Sequence, residues 1–464
     1  MTTPSRRNGS SQDDGRLSLR TILIFALPAL PIAMMHIPVG AVIPGFYAKH
    51  TTVTLSAIGG IFLLSRIFDA VIDPGIGYLS DRTRSHFGKR KPWIAAGTVI
   101  AAVSIYLLFT PAPSAGPLYL LTASMALYLG WTVLEIPYRA WSAELTHSYT
   151  ERSRISVQIA VMGALGTILF MGVSLLPVFK DREIGPDTMR VMALVVVVLL
   201  PVLTFLALAR IPEGKHVAPA RSSALDVFRS VGQNKPLQIF AVAYIFGGLA
   251  NGVFNAVLFI YVDSYLAIGD RFTTIYVFNA MANLVALPAW NYAIARLGQH
   301  RSLALSWFCV SALQLVMLAV APGPAAFLPM VVFGVIYGVG EAATKAVPYA
   351  LLGDIVDYEI LRSGVNRSGS YFAFLTLVAK LNFAIGGGVA LLLLGLVGYQ
   401  VGHANDLMEK SGFLAIFIGL PALLFLLAGL VLWRFPLDER RQDIIRRRIE
   451  QRAARNARNV LAQA

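Results

Sequence analysis

Twelve separate runs of apolar residues constrain the fold of this chain more than any other feature of its sequence. About 20 helical residues cross a hydrocarbon core of about 30 Å, and a segment exposed to lipid must be helical because its backbone finds no water to bind. Hydrophobic residues make up 56% and charged residues 14% of the 464, and the mean hydropathy is +0.65. The sequence therefore indicates a polytopic membrane protein. The runs lie near residues 21–47, 54–79, 92–111, 116–140, 155–178, 188–211, 236–266, 273–296, 301–321, 325–350, 369–398 and 411–434.

Lys and Arg residues concentrate in every second connection between these runs. The connections after the second, fourth, sixth, eighth and tenth runs are rich in them, as is the C-terminal tail, whereas the other connections hold few. Because cytoplasmic loops carry the excess of basic residues, we predict a protein of the cell inner membrane with both termini in the cytoplasm. The net charge of +14 then follows from membrane topology and does not indicate a nucleic-acid partner.

The two ends of the chain and its cysteine content add further limits. The polar N-terminal segment shows no apolar core followed by a small-residue cleavage site, so we expect no removable signal peptide. The single cysteine, Cys309, excludes an internal disulfide. The arginine-rich tail has helical propensity, with Ile445 and Ile449 on one stripe. It either lies on the anionic inner leaflet or is solvated.

The longest connection between runs divides the twelve spans into six and six. A weak internal repeat supports this division, because EIPYRAWSAEL at 135–145 resembles KAVPYALLGDI at 345–355, one residue out of step. We therefore predict an all-α membrane protein with two six-helix halves, the major facilitator fold, and a substrate site near the midplane between the halves. The expected segments are a cytoplasmic N-terminal segment at 1–20, halves at 21–211 and 236–434, a central cytoplasmic loop at 212–235 and a basic cytoplasmic tail at 435–464.

The second apolar run carries charges inside the membrane. Arg66, Asp69 and Asp73 are spaced by three and four residues, which places them along one helical face. A charge at the bilayer centre costs about 2.5 to 3.5 kcal/mol, so such residues usually face a cavity or a partner. Glu135 in the fourth run adds a third carboxylate, and three neighbouring acids repel one another unless a cation or proton lies among them. With the Thr132 hydroxyl as a neutral oxygen, these acids predict a coupling-ion site for Na⁺ or H⁺.

Lys380 in the eleventh run is the expected counter-charge of this site. It would approach the acids when no cation is bound and move away when one binds, and its mid-helix position argues against a lysine that only reaches for the interface. Other polar groups in the membrane either contact an anionic group of the substrate or only neutralise a buried neighbour. The candidate substrate-binding residues are His36, Arg66, Arg139, Glu341 and Lys345.

The basic loop DRTRSHFGKRKPW at 81–93 has the composition of a cytoplasmic gate. We expect Asp81 to pair across the seam between the halves, Gly88 to permit a tight turn, and basic residues such as Arg82 and Arg90 to cap carboxylates or carbonyls at neighbouring helix ends. Membrane topology alone would also explain the positive charges.

Three stretches carry specific motifs, above all the D-x-x-x-D-P element that precedes the basic loop. They are RIFDAVIDPGIGYLSDRTRSHFGKRKPW, EIPYRAWSAELTHSYTERSR and DIVDYEILRSGVNRSGSYFAFLTLVAKLNFAIGGG. Together they resemble the glycoside, pentoside and hexuronide cation symporters, the major facilitator branch that includes melibiose permease. The resemblance implies that Asp69 and Asp73 bind Na⁺, Li⁺ or H⁺, that Glu135 and Thr132 match positions that help hold the cation, and that Lys380 matches a lysine tied to that site.

The departures from this resemblance concern the substrate rather than the ion. The first run, FALPALPIAMMHIPVG, lacks the acid that contacts the galactoside in the sugar permease, and Arg139 stands where that permease stacks an aromatic ring on the sugar. The fifth run opens ISVQIAV, where relatives commonly carry an arginine. Met34, Met35 and His36 either line a pocket for a less polar solute or serve only in packing. Animal relatives carry lysophospholipids, so an anionic or amphipathic solute is the alternative to a glycoside.

These observations predict a secondary active symporter that couples Na⁺ or H⁺ entry to uptake of a glycoside-like or other organic solute by alternating access. The alternative within this class is a carrier of an anionic or amphipathic solute such as a lysophospholipid. A membrane sensor or scaffold that binds partners through its basic tail is the alternative from another class. We expect no enzyme activity and no cofactor, because no catalytic set, metal-ligand spacing or phosphate-binding loop is present. The expected state is a monomer in the bilayer.

Overall fold

The predicted twelve membrane helices are confirmed. The computed structural model describes residues 17–146, 149–173, 184–213, 232–364, 368–437, 440–445, 447–449 and 451–452, and every regular element in these ranges is helical. Twelve of the helices are long and apolar enough to cross a membrane. They are α1 (Leu19–His50), α2 (Leu55–Arg82), α3 (Lys91–Phe109), α4 (Pro117–Glu144), α5 (Tyr149–Val173), α6 (Pro186–Arg210), α7 (Lys235–Tyr265), α8 (Phe272–Leu297), α9 (Gln299–Val316), α10 (Phe327–Ser363), α11 (Ser368–Leu396) and α12 (Leu407–Trp433).

The helices pack as two groups of six. In the first half α3 packs on α4 and α6, α2 on α4, and α1 on α5. In the second half α8 packs on α10, α9 on α10 and α12, and α7 on α11 and α12. The halves meet where α2 packs on α11, α1 on α7, and α5 on α8. The predicted all-α fold with two six-helix halves is therefore confirmed, while most of the central loop, residues 214–231, lies outside the described ranges.

One end of the bundle is closed by contacts between the halves. At the end opposite the chain termini, Lys49 Nζ of α1 lies 3.0 Å from Asp263 Oδ2 of α7. Gly59 of α2 lies against the backbone of Gly388 and Leu392 in α11, at a distance that leaves no room for a side chain. Small residues at such a contact let helix backbones approach closely, which is how membrane helices gain packing energy. This end is sealed, and the space between the halves extends toward the end that carries the termini.

The tenth helix is longer than its apolar run. The prediction placed its end near residue 350, but α10 continues to Ser363, so its 37 residues span about 55 Å at 1.5 Å per residue. Hydropathy marks only the part that crosses the lipid, because the last turns leave the membrane and carry Asp354, Asp357 and Glu359. Gln442 Nε2 of the tail donates to Asp357 Oδ2 at 3.0 Å. The described part of the tail therefore rests on the protein.

The contact at Gly59 predicts a selective loss of stability. A Cβ at Gly59 would lie 2.7 Å from both the carbonyl oxygen of Gly388 and the nitrogen of Leu392, whereas a Cβ at Gly60 would meet no atom within 4 Å. We expect Gly59→Ala to lower the free energy of unfolding by about 1–3 kcal/mol through overpacking. Gly60→Ala is the matched control and should be neutral or stabilising, because alanine favours helix by about 1 kcal/mol over glycine. Thermal unfolding in detergent measures both, and equal melting temperatures for the two variants would contradict the close approach.

Candidate functional site

The two membrane aspartates of α2 share one hydroxyl of α4. Thr132 Oγ1 lies 2.6 Å from Asp69 Oδ1 and 3.0 Å from Asp73 Oδ1. Asp69 and Thr132 are almost completely buried, at 4% and 3% exposed. The helix contact between α2 and α4 and the spacing of four residues between the acids bring these three oxygens together. The predicted grouping of Asp69, Asp73 and Thr132 is what the structure shows.

A lysine from the opposite half completes this cluster. Lys380 Nζ of α11 lies 2.5 Å from Asp73 Oδ2 and 3.5 Å from Asp69 Oδ2. Arg66 Nη1, one turn before Asp69 on α2, lies 3.8 Å from Asp69 Oδ2. The Arg66 guanidinium also lies 4.4 Å above the ring of Tyr128 in α4, a cation–π contact that holds it beside the acids. Arg66 therefore belongs to the acid cluster, and it is not among the residues of the central cavity wall.

The charges of this acid cluster cancel without an added ion. Arg66 and Lys380 contribute two positive charges, and Asp69 and Asp73 contribute two negative charges. A monovalent cation that entered among the carboxylate oxygens would leave an excess positive charge in a low-dielectric environment, which is strongly unfavourable. Lys380 is the member that can leave, because it comes from the other half and its side chain is 32% exposed, against 15% for Arg66. The arrangement can exchange a lysine ammonium for a small cation or a proton.

Glu135 does not join the acid cluster. Its carboxylate binds Arg139 one turn later on α4, with Oε1 2.6 Å from Arg139 Nη2 and 3.1 Å from Nε. A basic residue four positions away on the same helix lies close enough to neutralise the Glu135 carboxylate without a bound ion. In this conformation Glu135 therefore pairs with Arg139 and faces the central cavity instead of grouping with Asp69 and Asp73, while its role as a cation ligand stays a prediction.

A cavity of about 830 Å³ lies between the halves and runs from the midplane toward the end that carries the termini. His36 of α1 lines it, with its ring 5.3 Å from the ring of Trp131. Met34 and Met35 are fully buried in the packing of the first half, so of the three residues suggested for a less polar pocket only His36 reaches the cavity.

Two ion pairs, each between residues four apart on one helix, lie at the cavity. Glu341 Oε1 lies 2.9 Å from Lys345 Nζ on α10, as Glu135 lies beside Arg139 on α4. In both pairs the acidic side chain is the less exposed partner, at 22% for Glu135 and 16% for Glu341. The basic side chains extend into the cavity and are 72% exposed for Arg139 and 63% exposed for Lys345. The cavity thus presents one cationic head group from each half.

Several cavity residues were missed from the sequence. Asn251 and Asn255 of α7, Tyr276 of α8 and Trp307 of α9 line the wall of the second half. The buried Trp307 Nε1 makes no hydrogen bond with any residue that the structure describes. Asparagine and tryptophan inside an apolar run carry no charge, so a search for charged residues in the membrane does not find them. The spacing of four residues between Asn251 and Asn255 was the one pattern that could have indicated a polar helix face.

The basic loop forms a brace within the first half. Arg90 is buried, and its Nη2 lies 2.5 Å from Asp81 Oδ1 and 2.7 Å from Glu144 Oε1, while its Nη1 donates to Ser80 Oγ at 2.9 Å. Burial alone would lower the pKa of Arg90, but its hydrogen bonds to Glu144 and Asp81 outweigh burial and raise it. In this conformation Asp81 pairs with Arg90 of its own half and not across the seam between the halves, and its role in a gate stays a prediction.

Other parts of the gate prediction agree with the geometry. Lys91 Nζ donates to the carbonyl oxygens of Leu208 and Ile211 at 2.8 Å each, so the loop does cap a neighbouring helix end. Gly88 has a φ of +96°, the region that favours glycine, and Glu213 accepts a hydrogen bond from the Lys89 nitrogen beside it. The last predicted gate residue, Arg82, stacks on the ring of Tyr78 at 4.1 Å.

Fold and site together define a membrane transporter of the major facilitator type, with a central cavity between two halves and an ionic tie that joins them. A sequence profile of the MFS/sugar transport protein family matches residues 24–439. The chain belongs to this family. The resemblance to the glycoside, pentoside and hexuronide cation symporters is confirmed, and the protein is a transporter rather than an enzyme.

Individual relatives agree with this assignment. The inner membrane symporter YicJ of Escherichia coli (strain K12) is 27% identical over 404 residues, which cover 84% of this chain and 85% of that protein. The sodium-dependent lysophosphatidylcholine symporter 1-A of Danio rerio is 22% identical over 426 residues, which cover 82% of this chain and 79% of that protein. The crystal structure of the nucleoside transporter NupG superposes with a TM-score of 0.65 at 15% identity, covering 89% of this chain and 98% of that one. The last likeness concerns the fold.

The brace at Arg90 predicts different effects for its two acids. Asp81→Ala removes the more exposed partner, so we expect a stability loss of at most about 1 kcal/mol, slower transport in proteoliposomes and unchanged equilibrium ligand binding. Glu144→Ala removes the buried partner and should cost about 3 kcal/mol, because the charge of Arg90 is then poorly compensated. Thermal unfolding measures the stability, a proteoliposome assay measures the transport rate, and the ligand-induced shift of the melting temperature measures ligand binding. Loss of ligand binding in a folded Asp81→Ala protein would indicate a binding site in place of a gate.

Proposed function

We propose that the protein is a symporter of the inner membrane that couples entry of Na⁺ or H⁺ to uptake of a sugar-like or other organic solute. The observation that carries this proposal is the position of Lys380, which extends from the second half to two aspartates of the first. The family assignment and the symporter relatives support the class of activity. Both chain termini then lie in the cytoplasm, as the distribution of basic residues predicts.

The acid cluster supplies a physical route for coupling. With no ion bound, Lys380 neutralises the aspartates and ties α11 to α2. When a cation or proton takes its place, the tie is released and the halves are free to change their arrangement around the loaded cavity. A ligand shifts such an equilibrium only by its different affinity for the two arrangements. Coupling therefore requires that ion and solute together favour the arrangement that closes the cavity.

The choice between Na⁺ and H⁺ depends on the oxygens around Asp73. Asp69, Asp73 and Thr132 supply side-chain oxygens, and the neighbouring Ile72 adds none from its side chain. Glu135, the fourth expected ligand, is held by Arg139. Buried and mutually repelling carboxylates also suit exchange of a proton. Both ions stay within the proposal, with a preference for H⁺.

Asp73→Asn tests the coupling directly. A tenfold cation gradient corresponds to about 1.4 kcal/mol and supports about tenfold solute accumulation at equal stoichiometry. We expect the variant to lose this accumulation in proteoliposomes while solute exchange at equal concentrations continues, because the amide neither binds the cation nor balances Lys380. Asp187→Asn is the matched control, since Asp187 is an exposed carboxylate at the start of α6. Accumulation by Asp73→Asn at the level of this control would contradict the proposed coupling.

A second candidate is a carrier of anionic or amphipathic solutes. Arg139 and Lys345 present cationic head groups to the cavity from the two halves. One relative is named a sodium-dependent lysophosphatidylcholine symporter, which is compatible with an amphipathic solute. The sensor or scaffold hypothesis has no comparable support, because the described tail contacts α10 of the same chain.

A thermal-shift screen separates the two candidates. Sugars, sugar acids and lysolipids would each be added with and without Na⁺ at two pH values, since a ligand that binds only the folded state raises the melting temperature. If the solute is anionic, Arg139→Gln and Lys345→Gln should each weaken its binding by about 1.5–3 kcal/mol, the range for hydrogen bonds to charged groups. Stabilisation by a neutral disaccharide alone, unchanged in both variants, would rule out the anionic candidate.

A further inference from the structure

A second polar pocket lies inside the second half, at the contact of α7, α8 and α10. Its volume is about 20 Å³, and about 10–15 Å³ is enough to hold one water molecule. Apolar side chains form most of its wall, and Asn255, Tyr276 and Glu341 border both this pocket and the central cavity. Five residues of the wall carry polar groups, namely Asn255, Tyr276, Asn279, Tyr337 and Glu341.

The two asparagines of this pocket use their amide nitrogens on the protein. Asn279 Nδ2 donates to the carbonyl oxygen of Gly334 at 3.0 Å, and Asn255 Nδ2 donates to the carbonyl oxygen of Asn251 at 2.9 Å. A carbonyl oxygen accepts only from a donor, so these partners fix which amide atom is the nitrogen. The groups that remain for the pocket are the amide oxygens of Asn255 and Asn279, which are acceptors.

Tyr337 adds an oxygen that lacks a partner. Its side chain is 4% exposed, and its hydroxyl makes no hydrogen bond with any residue in the described ranges. The ring stacks on Phe254 at a centroid distance of 4.3 Å, which fixes the position of the hydroxyl in the pocket wall. Buried polar groups in native proteins nearly always have a partner, and a water or ion in the pocket would supply one for this hydroxyl.

Glu341 supplies one negative charge to the pocket. Its Oε1 lies 2.9 Å from Lys345 Nζ, and its Oε2 accepts from Asn283 Nδ2 at 3.3 Å. The side chain of Lys345 is 63% exposed in the central cavity. Its ammonium is already largely hydrated, so its hydration changes little when it moves away from Glu341 into the cavity. The carboxylate can therefore exchange the lysine for another cation, as Asp73 can exchange Lys380.

The pocket lies at the helix contact of the second half that corresponds to the contact holding the aspartates in the first. The acid cluster lies where α2 packs on α4, and the pocket lies where α8 packs on α10, six helices later in each case. Asn283 stands five residues before Pro288 of α8, as Asp69 stands five residues before Pro74 of α2. Each site combines a carboxylate, a lysine and neutral oxygens, although the second contains one acid where the first contains two.

We infer that this pocket is a second site for a monovalent cation, Na⁺, held by Glu341 and by the neutral oxygens of Asn255, Asn279 and Tyr337. Hard cations take oxygen ligands from carboxylates and carbonyls. A divalent ion would carry more charge than one buried carboxylate balances, and an anion would face acceptor oxygens. The site goes beyond the coupling proposed for Asp69 and Asp73, because it can bind Na⁺ whether or not the acid cluster does.

Equilibrium binding of radioactive Na⁺ to the purified full-length protein, without solute, tests this site. Asp73→Asn disables the acid cluster, Glu341→Gln disables the pocket, and Asp187→Asn controls for loss of an exposed carboxylate. We expect Asp73→Asn to retain one Na⁺ equivalent and the double variant Asp73→Asn, Glu341→Gln to retain none. Tyr337→Phe keeps the stacked ring and removes only the hydroxyl, so in the Asp73→Asn background it should weaken the retained equivalent several-fold.

The outcomes distinguish the pocket from the acid cluster. A wild-type protein that binds a single equivalent, lost in Glu341→Gln and kept in Asp73→Asn, supports the pocket and shows that the acid cluster does not take Na⁺. Two results would overturn the inference that the pocket binds Na⁺. One is loss of all Na⁺ binding in Asp73→Asn, and the other is equal Na⁺ binding by proteins that differ only in Glu341→Gln. The pocket would then hold only a water. If Glu341→Gln does not fold, the deciding comparison is between Asp73→Asn and the double variant Asp73→Asn, Tyr337→Phe. Equal Na⁺ affinity of these two proteins overturns the inference.

Discussion

The ion pairs between Lys380 and the two aspartates of α2 are the interaction on which the proposed coupling depends. Removing one partner of a buried ion pair typically costs about 3–5 kcal/mol, which exceeds the roughly 1.4 kcal/mol of a tenfold cation gradient. In the proposed coupling, Lys380 therefore leaves the aspartates when another positive charge replaces it. Since the lysine and the aspartates belong to different halves, a change in ion occupancy is also a change in what joins the halves. No longer-range signal between ion and fold is needed.

The closed end of the bundle determines how the halves can move. Lys49 with Asp263 and the close approach at Gly59 hold the halves together at one end, while the cavity separates them toward the other. Each half has its own dense helix contacts, such as α3 with α4 and α8 with α10. Packed interiors resist gradual deformation, so the proposed alternating access requires the two halves to move as units. Lys380 lies on α11, which packs on α2, so its contacts lie along the main contact between the halves.

The sequence predicted what depends on hydropathy and spacing, and it failed where a closer partner was available. Apolar length predicted twelve helices, but it could not show that α10 continues to Ser363, because a helix outside the lipid needs no apolar run. Spacing grouped Asp69 and Asp73, and the position of a charged residue in the middle of an apolar run indicated Lys380, which the family resemblance also implied. Glu135 was assigned to the same group because it is acidic and close in the fold, yet Arg139 on its own helix neutralises it. The neutral cavity residues carried no recognisable pattern.

The separation of these groups explains how one family can serve dissimilar solutes. Asp69 and Thr132 are buried between α2 and α4, and neither is part of the cavity wall that the structure describes. Arg139 and Lys345, by contrast, extend into the cavity and are balanced by acids one turn away on their own helices. A substitution at either base therefore changes what the cavity presents to a solute while the charge balance of the acid cluster stays the same. Under the proposed function, solute recognition on α4 and α10 can diverge, whereas the ion exchange on α2 and α11 is constrained by burial.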